Sequence, residues 1–148
     1  MKKNITHKRV FSAPTKVSFP KRLLSYIAIL LLLFIGTMAI NGGIEMILDP
    51  SGTSVNLPIY LLHETPFATY LIPGIILFFL NGWFSLYIVY RIITKQGNNQ
   101  YWLITQGLIL SFWIFTQILL TGVFYIEHLF YVSAALLIIL VGMLIDRK

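Results

Sequence analysis

The side chains that could do chemistry in this 148-residue chain are few, and two groups of them recur at helical spacing. Thr37, Asn41 and Glu45 follow one another at intervals of four, which places them on one face of a helix. Gln117 and Thr121 have the same spacing. All five interrupt long apolar runs, where lipid makes polar groups costly, so they are candidates for a site.

Two histidine–carboxylate pairs, His63-Glu64 and Glu127-His128, fall near the same predicted membrane surface. We predict that the polar groups surround an outward-opening cavity between the first and third helices, with Glu45 at its centre. A carboxylate buried there could carry a proton, act as a general base or help to hold a ligand. The predicted ligand-binding residues are Glu45, Asn41, Thr37, Gln117, Thr121, His63 and His128. The alternative is that these residues only join helices through hydrogen bonds or face water at the membrane surface.

Known catalytic motifs do not occur in the sequence. It has no cysteine, which excludes disulfides, thiolate metal sites and a cysteine nucleophile. It also has no H-E-x-x-H pair, no glycine-rich phosphate loop and no nucleophile elbow. The histidines and carboxylates could bind a divalent ion, but their spacing is not diagnostic. We therefore predict no catalytic residue, no metal and no cofactor.

The elements that must position these residues are membrane helices. Hydrophobic residues make up 57% of the chain and charged residues only 11%, a membrane composition. The apolar runs predict helices at about 23–48, 66–91, 101–125 and 127–146, each near the length needed to span a bilayer. The predicted fold is all-α, a four-transmembrane-helix bundle over 23–148 after a basic segment, 1–22. Gly107 and Ser111, four apart, predict a close contact by the third helix.

The charges predict the orientation of the bundle. All eleven lysines and arginines precede the first helix, separate the second from the third or follow the fourth. The positive-inside rule then places both termini in the cytoplasm and the loop between the first two helices outside. The net charge of +6 is therefore a topology signal rather than a sign of nucleic-acid binding. We predict that the basic N-terminus lies on anionic headgroups of the lipid bilayer.

The loop between the first two helices has the composition of an ordered segment. Asp49-Pro50-Ser51-Gly52 has the residue types of a type I turn. Pro58 can open a short helix within an apolar stretch, and Thr65-Pro66 resembles an N-cap that starts the second helix. We predict an ordered outer loop that covers the mouth of the bundle.

The motifs "DPSG", "LP", "TPF" and "YLIPG", which lie between about residues 42 and 82, carry a resemblance. The pattern resembles that of uncharacterised small bacterial four-helix membrane proteins. The resemblance implies a four-helix bundle in the bacterial cytoplasmic (inner) membrane. It implies no activity, and no catalytic residue can be transferred from it.

Two functions follow as hypotheses. The first is a non-enzymatic accessory or scaffold subunit that associates with a membrane protein partner or with further copies of itself. The second is a binding site, with possible catalysis or transport, for a lipid-like or small polar ligand under the outer loop. The direction in which Glu45 points distinguishes the first hypothesis from a site centred on Glu45, because such a site needs that carboxylate inside a cavity.

Overall fold

Four long helices make up most of the protein. A computed structural model describes residues 20–145. The helices are α1 (Lys21–Leu48), α2 (Leu71–Ile93), α3 (Asn99–Thr121) and α4 (Ile126–Ile145), and each is long and apolar enough to cross a membrane. No β-strand occurs in the described part, so the prediction of an all-helical chain with four such helices is confirmed. Most of the predicted basic segment, 1–22, lies outside the described residues.

The start predicted for the second helix, near residue 66, is wrong by several residues. Thr65 does not cap a helix: its hydroxyl donates to the Leu62 carbonyl at 2.9 Å and accepts the Phe67 N–H at 3.2 Å, which closes a turn within the loop. The first helical hydrogen bond of α2 runs from the Gly74 N–H to the Tyr70 carbonyl. The chain between Thr65 and Tyr70 is therefore not helical.

The turn between α3 and α4 also differs from the prediction. Gly122 has φ +64° and donates its N–H to the Ile118 carbonyl, which ends α3 at Thr121 instead of residue 125. The ring Nδ1 of His128 accepts the Tyr125 N–H at 2.9 Å and so caps the first turn of α4. Asp146, the predicted last residue of this helix, lies outside the described residues.

Glycines allow α1 and α2 to pack in close contact. A Cβ atom on Gly43 would lie 2.8 Å from the Phe78 Cβ and 2.9 Å from the Gly74 carbonyl oxygen. A Cβ on Gly36 would lie 3.3 Å from the Gly82 carbonyl oxygen. The two helices approach closely because no side chain separates their backbones at these positions.

A π-helical segment, Leu77–Trp83, lies in the middle of α2 and keeps its glycines aligned with those of α1. The Phe84 N–H bonds the Phe79 carbonyl, five residues back. In a regular α-helix, Gly74 and Gly82 would point about 80° apart. The extra residue of the π turn reduces this angle to about 20°. Gly36 and Gly43 of α1, which are seven residues apart, also point about 20° apart. Both glycines of α2 therefore face α1.

Helices α3 and α4 form the second closely packed pair. A Cβ on Gly107 would lie 2.9 Å from the Ala135 carbonyl oxygen, and a Cβ on Gly142 would lie 3.0 Å from the Leu103 Cβ. The close approach predicted at Gly107 is confirmed. The main core forms where this pair meets α1 and the second half of α2, around the fully buried side chains of Leu32, Ile35, Ile88, Leu103 and Ile138.

Arg91 joins α2 to α3 at one end of the bundle. Its Nη1 donates to the Gln96 Oε1 at 2.7 Å, and its Nη2 donates to the Gly97 carbonyl at 2.8 Å. The guanidinium carbon also lies 4.7 Å from the centre of the Trp102 ring on α3. These contacts hold the short α2–α3 connection through one side chain.

The long loop, residues 49–70, begins with a hydrogen-bonded turn. The Asp49 carboxylate accepts the Ser51 hydroxyl at 2.6 Å and the Ser54 N–H at 2.9 Å, and the Gly52 N–H bonds the Asp49 carbonyl. These bonds, that of the Ser51 hydroxyl first, hold the pKa of the Asp49 carboxyl below its usual range. A one-turn 3₁₀ helix, Ile59–Leu62, follows Pro58, where the sequence predicts a short helix.

Tyr70 ties the long loop to the start of α2. Its N–H donates to the Pro50 carbonyl at 2.9 Å, and its hydroxyl donates to the Pro58 carbonyl at 3.0 Å. The ring is buried, and burial raises the pKa of the Tyr70 hydroxyl. The hydroxyl is the donor because a carbonyl oxygen can only accept a hydrogen bond. One residue thus bonds two separate positions of the loop.

Replacement of Tyr70 by phenylalanine is expected to loosen the long loop without unfolding the bundle. The change removes one hydrogen bond, of about 1 kcal/mol, and keeps the ring in place. Amide hydrogen exchange at residues 59–62 should become about fivefold faster. Tyr60→Phe is the control, because Tyr60 is exposed. Equal exchange in both variants would show that the bond to Pro58 does not hold the loop.

Candidate ligand-binding site

A cavity of about 450 Å³ lies between α2 and α3, beneath the long loop. Its volume falls in the range of about 300–1,000 Å³ that is typical of ligand-binding pockets. Most of its wall is aliphatic or aromatic and comes from the loop and both helices. The wall includes Leu61, Leu62, Phe67, Ile76, Leu80, Phe112 and Trp113.

The cavity exists because the two helix pairs diverge at this end of the bundle. The glycine contacts hold α2 against α1, and those around Gly107 hold α3 against α4. Arg91 joins α2 and α3 only at the opposite end. The 3₁₀ helix of the loop covers this gap, and the side chains of its residues Leu61 and Leu62 are buried there. Leu62 packs in a small cluster with Met46 and Tyr70.

Polar side chains gather at the loop end of the cavity. They are Gln117, Thr121, Tyr125 and His128. Since the His128 Nδ1 accepts a backbone N–H, the ring is the neutral tautomer with its proton on Nε2. Neither that Nε2 nor the Gln117 carboxamide has a hydrogen-bond partner within residues 20–145. Both can therefore donate to a molecule in the cavity.

Asn81 supplies a polar group deeper in the cavity wall. Its side chain is 0% exposed, and neither its Nδ2 nor its Oδ1 has a partner in the described part of the chain. It lies on the π-helical segment, about 15 Å of helix rise from the start of α2. An unpaired buried amide costs about 1–3 kcal/mol, and buried polar atoms normally have partners. The carboxamide thus marks a place where a polar group can bind.

The structure divides the predicted site residues into two sets. Gln117, Thr121 and His128 line the cavity together. The other four are exposed and do not line it: Thr37, Asn41 and Glu45 on α1, and His63 in the long loop. The Thr37 hydroxyl bonds the carbonyl of Leu33 in its own helix.

The predicted location of the cavity, between the first and third helices, differs from the observed one. Of α1, only Met46 reaches the wall. Because α1 turns Gly36 and Gly43 towards α2, Asn41 and Glu45 lie about 140–200° around the helix from them. The glycine contacts therefore point the polar stripe of α1 outwards. Asn81 is absent from the predicted site residues, although the spacing of the glycines could have indicated its place in the cavity.

Within residues 20–145, no three histidine, aspartate or glutamate side chains come together as a metal site would require. Comparisons of the chain with protein-family models, curated proteins and solved structures found no significant match. The class of the protein therefore follows from its own fold: a small helical protein with four helices of membrane-spanning length and an apolar cavity beneath a loop.

Proposed function

We propose that this chain is a small multi-pass membrane protein that binds a lipid-like ligand in the cavity beneath the long loop. The observation that carries the proposal is an apolar cavity of about 450 Å³ whose few polar groups have unused hydrogen-bonding capacity. Among residues 20–145, the ionisable side chains in its wall are His128, Tyr70 and Tyr125, and none of these is a carboxylate. This composition favours binding over acid–base catalysis.

The position of the cavity favours a ligand that arrives from the bilayer. Leu80 on α2 and Leu108 and Phe112 on α3 line the cavity and are also exposed on the outside of the bundle. The cavity therefore reaches the surface that would face the lipid. A molecule with an aliphatic body can enter between α2 and α3 without crossing water.

Filling the cavity tests the proposal. In Thr116→Trp, the indole would project from the cavity wall into the space that the ligand needs. Phe115→Trp is the matched control, since Phe115 is the neighbouring residue, is exposed and does not line the cavity. After purification in mild detergent, we expect Thr116→Trp to retain about tenfold less co-purifying lipid than the control, a change of about 1.4 kcal/mol in affinity. Equal retention by both variants would refute the proposal.

A second candidate function, an accessory or scaffold subunit, is favoured by the outward face of α1. Asn41 and Glu45 are exposed there, although polar side chains within membrane helices rarely face lipid. A helix of a partner protein that carries hydrogen-bond donors would satisfy both. Asn41→Leu combined with Glu45→Leu should release such a partner from detergent-solubilised complexes, whereas Thr116→Trp should retain it. If both variants recover the same proteins, this face is not an interface.

The location of the protein is part of the same proposal. The distribution of the basic residues and the resemblance to small bacterial proteins support a cytoplasmic membrane location, with both termini inside and the long loop outside. Since the chain has no cysteine, single cysteines can be placed at Lys3 and Ser54 without other changes. In spheroplasts, an impermeant thiol reagent should label the cysteine at position 54 and leave that at position 3 unlabelled. Labelling of both from outside would contradict this topology.

A further inference from the structure

The deep end of the cavity differs from its loop end because its polar group, the Asn81 carboxamide near the middle of α2, is fully buried and lies away from the ionisable side chains. We propose that Asn81 recognises an uncharged polar group of the ligand, one that both donates and accepts a hydrogen bond. The inference rests on the proposed function, because it needs the cavity to be occupied by an aliphatic molecule. It adds the chemical class: an aliphatic hydroxyl or an undissociated carboxyl compound.

The local backbone leaves the Asn81 side chain available. The Ser85 hydroxyl donates to the Asn81 backbone carbonyl at 2.7 Å, so that carbonyl is satisfied within the helix. The side-chain amide has no such partner within residues 20–145. The π turn carries Asn81 on the same short segment that holds Gly82 against α1. The position of the carboxamide is therefore fixed by packing, which suits a recognition group.

The surroundings of Asn81 exclude a charged ligand group at this depth. The wall nearby is apolar, and the ionisable side chains of the cavity all come from its loop end. A carboxylate or ammonium next to Asn81 would be buried without a counter-ion. A carboxamide offers one acceptor and two donor hydrogens close together, so a neutral hydroxyl or carboxyl can pair with both kinds of atom.

Gln106 provides the comparison. It is also 0% exposed, and its side-chain amide also has no partner among the described residues. It does not line the cavity. If burial of an unpaired amide alone determined how a substitution changes ligand retention, replacement of either residue would have the same effect. If a ligand contact determines it, only replacement of Asn81 has an effect.

A paired-probe experiment tests the inference. The purified full-length protein is equilibrated in detergent with equal amounts of hexadecanol and hexadecane, repurified and extracted for gas chromatography. The wild type should retain the alcohol about fivefold to tenfold over the alkane, the effect of one or two net hydrogen bonds. In Asn81→Leu the ratio should fall to about one while total retention persists, and in Gln106→Leu it should stay at the wild-type value. The thermal midpoint of Asn81→Leu should equal or exceed that of the wild type, because an unpaired polar group is removed.

The outcomes separate the two proposals. Equal retention of alcohol and alkane by the wild type, or a preference that survives in Asn81→Leu, overturns the role of Asn81 and leaves cavity binding intact. A ratio that falls equally in Gln106→Leu also overturns it, because Gln106 lies outside the cavity wall. Retention of neither probe by the wild type refutes cavity binding itself. Should Asn81→Leu fail to fold, Asn81→Thr keeps a hydroxyl and should retain part of the preference.

Discussion

Replacement of Gly43 by alanine is expected to destabilise the protein by about 1–3 kcal/mol, the usual effect of overpacking a tight core. The new methyl group would lie 2.9 Å from both the Gly74 carbonyl oxygen and the Phe78 backbone nitrogen. Backbone atoms cannot move aside as the end of a flexible side chain can. Helices α1 and α2 would have to separate, and the α2 wall of the cavity would shift with them.

Gly42→Ala is the matched control for this experiment. The adjacent glycine would place its methyl group 3.6 Å from the nearest atom, the Leu77 Cδ2, which is ordinary contact. Both substitutions gain the same helix propensity, roughly 1 kcal/mol, so their difference isolates the packing term. Unfolding in mixed detergent micelles, followed by circular dichroism, gives that difference. Equal midpoints for the two variants would mean that the α1–α2 contact is looser than described.

Arg91→Lys is expected to lower the free energy of unfolding by about 1–3 kcal/mol although it keeps the positive charge. Hydrogen bonds to charged groups contribute about 1.5–3 kcal/mol, less where water reaches them, as it does at this half-buried site. An ammonium group cannot reproduce the two bonds, to Gln96 and Gly97, together with the planar contact on Trp102. The α2–α3 connection should therefore loosen.

Lys95→Ala is the control for Arg91, since Lys95 lies in the same connection and is exposed. It removes a positive charge, whereas Arg91→Lys removes none. Proteolysis of the α2–α3 connection in detergent should accelerate in Arg91→Lys and stay unchanged in Lys95→Ala. Faster proteolysis in Lys95→Ala than in Arg91→Lys would show that charge, rather than the geometry of the guanidinium, stabilises the connection.

The sequence predicts the four long helices well because each must satisfy its backbone hydrogen bonds within itself, and apolar length alone reveals that need. Their ends are harder to predict. Thr65-Pro66 has the residue types of a helix start, yet the Thr65 hydroxyl bonds within a loop turn instead. The loop before α2 is also held by Tyr70, whose bonds to Pro50 and Pro58 are long-range and leave no local pattern.

The polar residues singled out in the sequence do not all meet at one cavity, for a related reason. Gln117, Thr121 and His128 do line one cavity. Glu45 does not, because the rotation of α1 is set by which face carries its glycines, and polar residues alone do not determine that rotation. The importance of Asn81 depends on the extra residue in the π turn, which a regular helical projection of the sequence cannot represent.

The π turn in α2 also constrains how this helix can change in length during evolution. A seven-residue segment that contains one surplus residue tolerates the deletion of a single residue between Gly74 and Gly82, since the helix would become regular and both glycines would still face α1. A second deletion, or an insertion, would turn one glycine away from α1. Relatives of this chain should therefore differ here by one residue or by none.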